Sequence, residues 1–246
     1  MSSVPPPNSP AAPLPTSREE GHGASPEHSE DLPGWPAWTA PVALLAGFMI
    51  TIFIGAIVTI AIGAASSPED VADQPGLAVG LTFVQHAAFI GAAVLFARMV
   101  ARPWPRDFGL RATGLGPGVG WALLAVLVFL ATSLVLALAL GVEEESTDNV
   151  LETLGVGESA LLFVVAALVV CVAAPIAEEV FFRGYFFTAL RTSMSFVAAA
   201  VITGLVFGAI HIPNFFGDAG TNELVAGVVA LSVFGGALCL LYVRTG

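Results

Sequence analysis

Charged residues are scarce in this chain, and lysine is absent. Charged side chains make up 11% of the 246 residues, and the eight basic residues are all arginines. Hydrophobic residues make up 56% of the chain. This composition excludes an ordinary soluble domain and is typical of a polytopic membrane protein. The net charge of −11 comes from clustered acids, so it says little about partners, and no nucleic-acid partner is expected.

Several common motifs are missing as well. The only cysteines, Cys171 and Cys239, lie in apolar runs, which predicts neither a disulfide scaffold nor a cysteine-rich metal site. The chain has no HExxH zinc motif and no inverted repeat of the kind that marks transporters. No basic segment precedes the first apolar run near Trp38, so no cleavable signal peptide is predicted.

Long uncharged runs predict six membrane spans, since a helix needs roughly 20 apolar residues to cross the hydrocarbon core. They cover 38–64, 76–100, 117–141, 159–177 with a helical continuation toward 192, 196–213 and 224–243. Residues 1–35 are rich in Pro, Ser and Glu and are predicted to form a disordered tail. The predicted fold class is an all-α polytopic membrane helix bundle of about six transmembrane helices. Its predicted parts are the tail (1–35), three spans (36–145) and a second group of spans (146–246).

The positions of the arginines predict the orientation of the bundle. Four of them lie at the end of the second predicted span or in the loop that joins it to the third: Arg98, Arg102, Arg106 and Arg111. The polar segments on the opposite side are acidic, around Glu69 and Glu143. By the positive-inside rule, the N-terminus and the arginine-rich segment are expected in the cytosol, and the protein in the cell membrane.

A cluster of charges interrupts the fourth predicted span. Glu178, Glu179 and Arg183 follow a run of small apolar residues, and charges within a membrane mark a functional-site hypothesis because they are costly there. On a helix, Glu179 and Arg183 are four residues apart and favour an ion pair. Glu178 is rotated by about 100° from Glu179 and has no such partner, which makes it the candidate general base.

His211 is predicted to lie beside Glu178. The turn Thr192–Ser195 falls midway between them in the sequence, so each leg of the helical hairpin covers roughly 24 Å and the two side chains return to the same depth. Pro175 and Pro213, close to the two residues, are expected to loosen both helices locally. A purely structural Glu–Arg–His network would explain each residue singly but the whole set poorly.

Two further polar residues, Gln85 and His86, lie in the second predicted span. The favoured interpretation of His86 is a buried histidine that bonds to a neighbouring helix. A contribution to a water cavity at the site is the alternative. The glycines of Gly204-x-x-x-Gly208 predict close helix packing.

These motifs resemble those of the CPBP intramembrane proteases. This family includes the type II CAAX prenyl endopeptidases and bacterial proteins linked to bacteriocin self-immunity. The resemblance covers about 150–246 and is carried by Glu178-Glu179-x-x-x-Arg183 and Phe207-x-x-x-His211. Flanking residues agree with it: Pro175-Ile176-Ala177, Gly184-Tyr185 and Leu241-Tyr242-Val243-Arg244-Thr245-Gly246.

The resemblance implies hydrolysis of peptide bonds in membrane-embedded or membrane-associated peptides, with the lipid bilayer as surroundings. It assigns activation of the water to Glu178, a supporting role to Glu179 and Arg183, and positioning of the water or polarisation of the scissile carbonyl to His211. The cofactor is left open, either a divalent metal such as zinc or none. Bacteriocin immunity is one implied setting.

One feature of the family pattern lies beyond the last residue of this chain. The family has a further histidine, followed four residues later by asparagine or aspartate, a short way past the segment that matches Arg244-Thr245-Gly246. The chain is therefore expected to be incomplete at that end. The alternative function is a non-catalytic membrane protein: an inactive homologue, an immunity or regulatory partner, or a proton-coupled transporter that uses the glutamate pair.

Overall fold

The computed structural model describes residues 32–62, 74–110, 114–142, 159–215 and 220–245. These residues form six helices and two short 3₁₀ turns, with no strand among them. The helices are α1 (Thr39–Ile62), α2 (Pro75–Arg98), α3 (Leu115–Leu140), α4 (Ala160–Arg191), α5 (Phe196–Ile210) and α6 (Thr221–Thr245), and the turns are Pro105–Phe108 and Ile212–Phe215. The predicted all-α bundle is confirmed. Most of the predicted tail and both predicted acidic segments, around Glu69 and Glu143, lie outside the described residues.

Five of the six helices are long and apolar enough to cross a membrane: α1, α2, α3, α4 and α6. The expectation for the remaining span, 196–213, is wrong in length. Helix α5 has only 15 residues and is about 22 Å long, against about 30 Å of hydrocarbon. Pro213, three residues past its end, has no amide hydrogen with which to continue the helical hydrogen bonds.

Helix α4 is the centre of the bundle and contacts α1, α2, α5 and α6. Its first half is largely exposed, as at Leu161 and Val164, whereas every residue from Val180 to Leu190 is buried. Helix α3 packs against α6 at the side of the bundle. The candidate charges of α4 therefore lie where an exposed helical segment enters the packed centre.

At one end of the bundle, the segment before α1 packs against the α2–α3 connection and the α4–α5 turn. The Trp35 ring lies 5.2 Å from Phe108 and 5.1 Å from Tyr185, centroid to centroid, and its carbonyl accepts a 3.1 Å hydrogen bond from the Thr192 hydroxyl. Ordered structure thus includes Trp35, the last residue of the segment predicted as a tail. Gly109, with φ 77°, adopts a left-handed conformation that favours glycine.

Candidate active site

Helix α4 changes its winding on both sides of the acidic pair. Residues Val169–Ala173 are π-helical, and the Ala174 amide donates to the carbonyl of Val169, five residues earlier. The wider turn precedes Pro175, which lacks an amide hydrogen and would clash with a carbonyl in a regular helix. The loosening predicted near Pro175 is therefore present as a π-helical turn, a feature that is common at functional sites.

A second π-helical segment, Glu179–Phe187, begins directly after Glu178. The buried hydroxyl of Thr188 donates a 3.0 Å hydrogen bond to the carbonyl of Arg183, five residues earlier. This bond satisfies a carbonyl within the widened turns. The spacing of Glu179 and Arg183 predicted a regular α-helix here, and the helix is instead π-helical.

Glu178 lies between two histidines from different helices. Its Oε1 is 3.9 Å from Nε2 of His211, at the end of α5, and 3.6 Å from Nε2 of His86, in the middle of α2. The structure thus brings Glu178 and His211 together, as the hairpin geometry predicts. It also brings in His86, for which a bond to a neighbouring helix was the favoured interpretation and a place at the site the alternative.

Both imidazoles are held in the same way. Nδ1 of His86 lies 2.7 Å from the carbonyl of Thr82, and Nδ1 of His211 lies 2.6 Å from the carbonyl of Phe207. A carbonyl only accepts, so each Nδ1 carries the hydrogen. In a neutral ring Nε2 then carries a lone pair and no hydrogen. The lone pairs of both histidines therefore face Oε1 of Glu178. Such a group is stabilised by a shared proton or by a water molecule that donates to two of its members.

Glu179 and Arg183 form a second charged pair beside the first site. Oε1 of Glu179 is 3.3 Å from Nη1 of Arg183, whose side chain is fully buried, whereas that of Glu179 is 43% exposed. Nη2 of Arg183 donates to the Gly235 carbonyl at 3.3 Å. The predicted ion pair is present, and its cation is anchored to α6.

Phe207 joins the two motifs. Its ring lies 4.5 Å from the guanidinium carbon of Arg183 and 4.8 Å, between centroids, from the His211 ring. A guanidinium over an aromatic face is attracted by the ring quadrupole. The spacing of Phe207 and His211 on α5 therefore places one aromatic residue against the charges of α4 and holds His211 toward Glu178.

The site is deep but accessible. The side chains of Glu178, His86 and His211 are 22%, 11% and 18% exposed. Along its own helix, each of these residues is roughly 20 Å from one end of the bundle. That end is marked by Arg98, Arg191 and Phe196. Non-helical backbone at such depth is tolerated where it lines a cavity or is buried in protein, and the 3₁₀ turn that follows His211 is such a segment.

From the sequence, a place for His86 at this site was only the alternative interpretation. The feature that could have indicated it is the polar pair Gln85-His86 in the middle of a mostly apolar span. Within the described residues, no group of three or more His, Cys, Asp or Glu side chains could hold a metal ion. We therefore assign no residue as a metal ligand.

Comparison with known proteins gives one finding. Searches of curated proteins and of solved structures return no significant match. Among protein-family models, the one described as type II CAAX prenyl endopeptidase Rce1-like matches residues 160–246. The matched segment contains α4, α5 and α6, including Glu178, Glu179, Arg183 and His211. The resemblance inferred from the two motifs is thereby confirmed over residues 160–246, which are similar to the Rce1-like type II CAAX prenyl endopeptidases.

Proposed function

We propose that the protein is an intramembrane endopeptidase in which Glu178 activates the hydrolytic water. The observation that carries the proposal is the position of the Glu178 carboxylate, within 4 Å of two imidazoles in a largely apolar bundle. A paired base and imidazole at membrane depth have no evident packing purpose, since burying them costs free energy. Glu178 and His211 both lie within the segment matched by an endopeptidase family, which supports the same conclusion.

The chemistry follows from the atoms available. Glu178 accepts a proton from water as the water oxygen attacks the scissile carbonyl carbon. Nε2 of His211, once protonated, stabilises the negative charge that forms on the carbonyl oxygen. The carbon–nitrogen bond then breaks, and the proton held by Glu178 passes to the leaving amine. In this scheme Glu179 and Arg183 support the geometry of α4, and no step needs them as acid or base.

The proposed substrates are peptides embedded in or attached to the membrane. The partial exposure of Glu178 lies on a bundle whose outer surface is apolar, as at Leu134 and Leu138 of α3 and Phe53 of α1. A substrate held in the bilayer would therefore reach the site without crossing bulk water. Prenylated C-terminal peptides are the first candidates because of the family's description, and bacteriocin-related peptides are a second class. The steps above use water and the chain's own side chains, and none of them needs a divalent metal such as zinc.

The experiment is a cleavage assay on the purified protein in lipid vesicles. The probes are a farnesylated CAAX peptide and a set of unmodified hydrophobic peptides, with products identified by mass spectrometry. We expect Glu178→Gln, which keeps the shape of the side chain but removes the base, to lower kcat by about 100- to 10,000-fold. The matched control is Glu223→Gln, an acid in the first turn of α6 outside the site, which should cleave like the wild type.

The cleavage assay has three possible outcomes. Cleavage that is abolished by Glu178→Gln but retained in Glu223→Gln supports the proposal. Cleavage that survives Glu178→Gln at the wild-type rate excludes Glu178 as the base. No cleavage of any probe by the wild-type protein counts against the endopeptidase function.

The same three side chains favour one second candidate, a non-catalytic proton relay. Carboxylates and histidines in contact inside a membrane serve this role in pumps and transporters. Uptake driven by a pH gradient in sealed vesicles, lost in Glu178→Gln and accompanied by no peptide cleavage, would support it over the endopeptidase function.

A further inference from the structure

We propose that His86 is a positioning residue of the reaction site, which holds the Glu178 carboxylate and shares its proton. The inference rests on the proposed function and extends it to a helix outside the matched segment. Residues 160–246 include Glu178 and His211, whereas His86 belongs to α2. The site then comprises three helices, one of which is contributed by the N-terminal half of the chain.

The geometry of His86 is that of a fixed acid–base group. The residue is 9% exposed, and its Nδ1 hydrogen is committed to the Thr82 carbonyl at 2.7 Å. This bond fixes the ring and directs Nε2 toward Oε1 of Glu178 at 3.6 Å. A ring that served only to fill space would not need its second nitrogen directed at a carboxylate.

His211 makes the matching contact from the other side. Both histidines bond through Nδ1 to the carbonyl four residues earlier, and both present Nε2 to the same carboxylate oxygen. Two imidazoles on one oxygen restrict the rotation of the Glu178 side chain. The two rings also have different roles. A proton on His86 neutralises the carboxylate, and His211 stays available for the substrate carbonyl.

Few other charges act on His86. Helix α1, which packs against α2, has no titratable residue in Thr39–Ile62. Helix α4 contributes Glu178 and the adjacent Glu179, which is paired with Arg183, and the end of α5 contributes His211. The pH response of His86 is therefore coupled chiefly to Glu178.

The test compares His86→Gln with the wild type in the vesicle assay. Glutamine keeps a hydrogen-bonding side chain but cannot carry the proton. We expect kcat to fall by about 10- to 100-fold, as for residues that orient a catalytic group, with KM within about twofold of wild type. We also expect the pH profile of kcat to lose one ionisation. His86→Phe, which keeps an aromatic ring without nitrogen, should lose more activity. The matched control is Gln85→Leu, the neighbouring polar residue on α2, which should leave kcat, KM and the pH profile unchanged.

A second measurement keeps the inference testable apart from activity. Unfolding temperatures of His86→Gln, Glu178→Gln and the double variant report the coupling between the two side chains. We expect the shift of the double variant to be smaller than the sum of the two single shifts. Additive shifts would overturn the contact on which the inference rests.

The outcomes distinguish this inference from the proposed function. If the wild type cleaves and Glu178→Gln does not, but His86→Gln retains the wild-type kcat and pH profile, the positioning role is wrong and the endopeptidase function stands. A lower yield of folded protein with an unchanged pH profile would reduce His86 to a structural residue. If the wild type cleaves no probe, the proposed function itself fails.

Discussion

Arg183 carries a charge at a position with no exposed surface. Its guanidinium is compensated by Glu179 at 3.3 Å, by the Gly235 carbonyl and by the ring of Phe207, while its Nε has no hydrogen-bond acceptor among the described residues. A buried cation with so few partners depends on each of them. We infer that the pair acts on stability and leaves proton transfer to Glu178.

We predict that Glu179→Gln destabilises the protein by about 3 kcal/mol. The value is at the lower end for breaking a buried ion pair, because Glu179 is partly exposed and only Arg183 is left uncompensated inside the bundle. The double variant Glu179→Gln with Arg183→Met, which removes the buried charge as well, should recover part of the loss. Equilibrium unfolding in detergent micelles measures both, and a Glu179→Gln variant as stable as the wild type would contradict the prediction.

At the scale of the helices, the packing of α5 on α6 sets the position of His211. A Cβ atom on Gly208 would lie 2.5 Å from the Val228 carbonyl oxygen, and one on Gly204 would collide with the Ser232 carbonyl. The close packing predicted from these glycines is confirmed. Because the clash is with backbone, the helices can accommodate a side chain there only by moving apart.

Gly208→Ala is therefore expected to destabilise the protein by about 1–3 kcal/mol, the range for overpacking. It should also lower cleavage, since His211 follows on the same helix. The matched control is Gly91→Ala in α2, where a Cβ meets nothing within 4 Å. That change should stabilise the protein by up to about 1 kcal/mol through helix propensity. Thermal unfolding of the two variants measures both changes in stability. Shifts of the unfolding temperature in the same direction would contradict the close packing of α5 on α6.

The sequence predicted the hairpin contact of Glu178 with His211 because one short turn joins their helices. It did not predict the contact with His86, since spacing gives no register between α2 and α4, which are not consecutive helices. The loosening near Pro175 was predicted from that proline, but the second π-helical segment, Glu179–Phe187, was not. Every residue from Val180 to Leu190 is buried, so no apolar stripe exists from which the winding could be read.

At the scale of the whole molecule, arginines collect at one end of the bundle. Contacts of Trp35 with Phe108 and Thr192 join the start of the described chain, the α2–α3 connection and the α4–α5 turn at that end. The arginines there are Arg98, Arg102, Arg106, Arg191 and Arg244. At the opposite end, the side-chain amide of Asn222 donates to the Leu140 carbonyl at 2.8 Å, and no described arginine lies near it. This asymmetry supports the expected cytosolic position of the arginine-rich end.

Labelling of introduced cysteines tests that orientation. In a Cys171→Ala background, with Cys239 buried, Ser193→Cys lies in the α4–α5 turn and Gly220→Cys at the start of α6, and both positions are exposed. We expect a membrane-impermeant maleimide to label Gly220→Cys in intact cells and Ser193→Cys only after permeabilisation. The reverse pattern would place the arginine-rich end outside the cell.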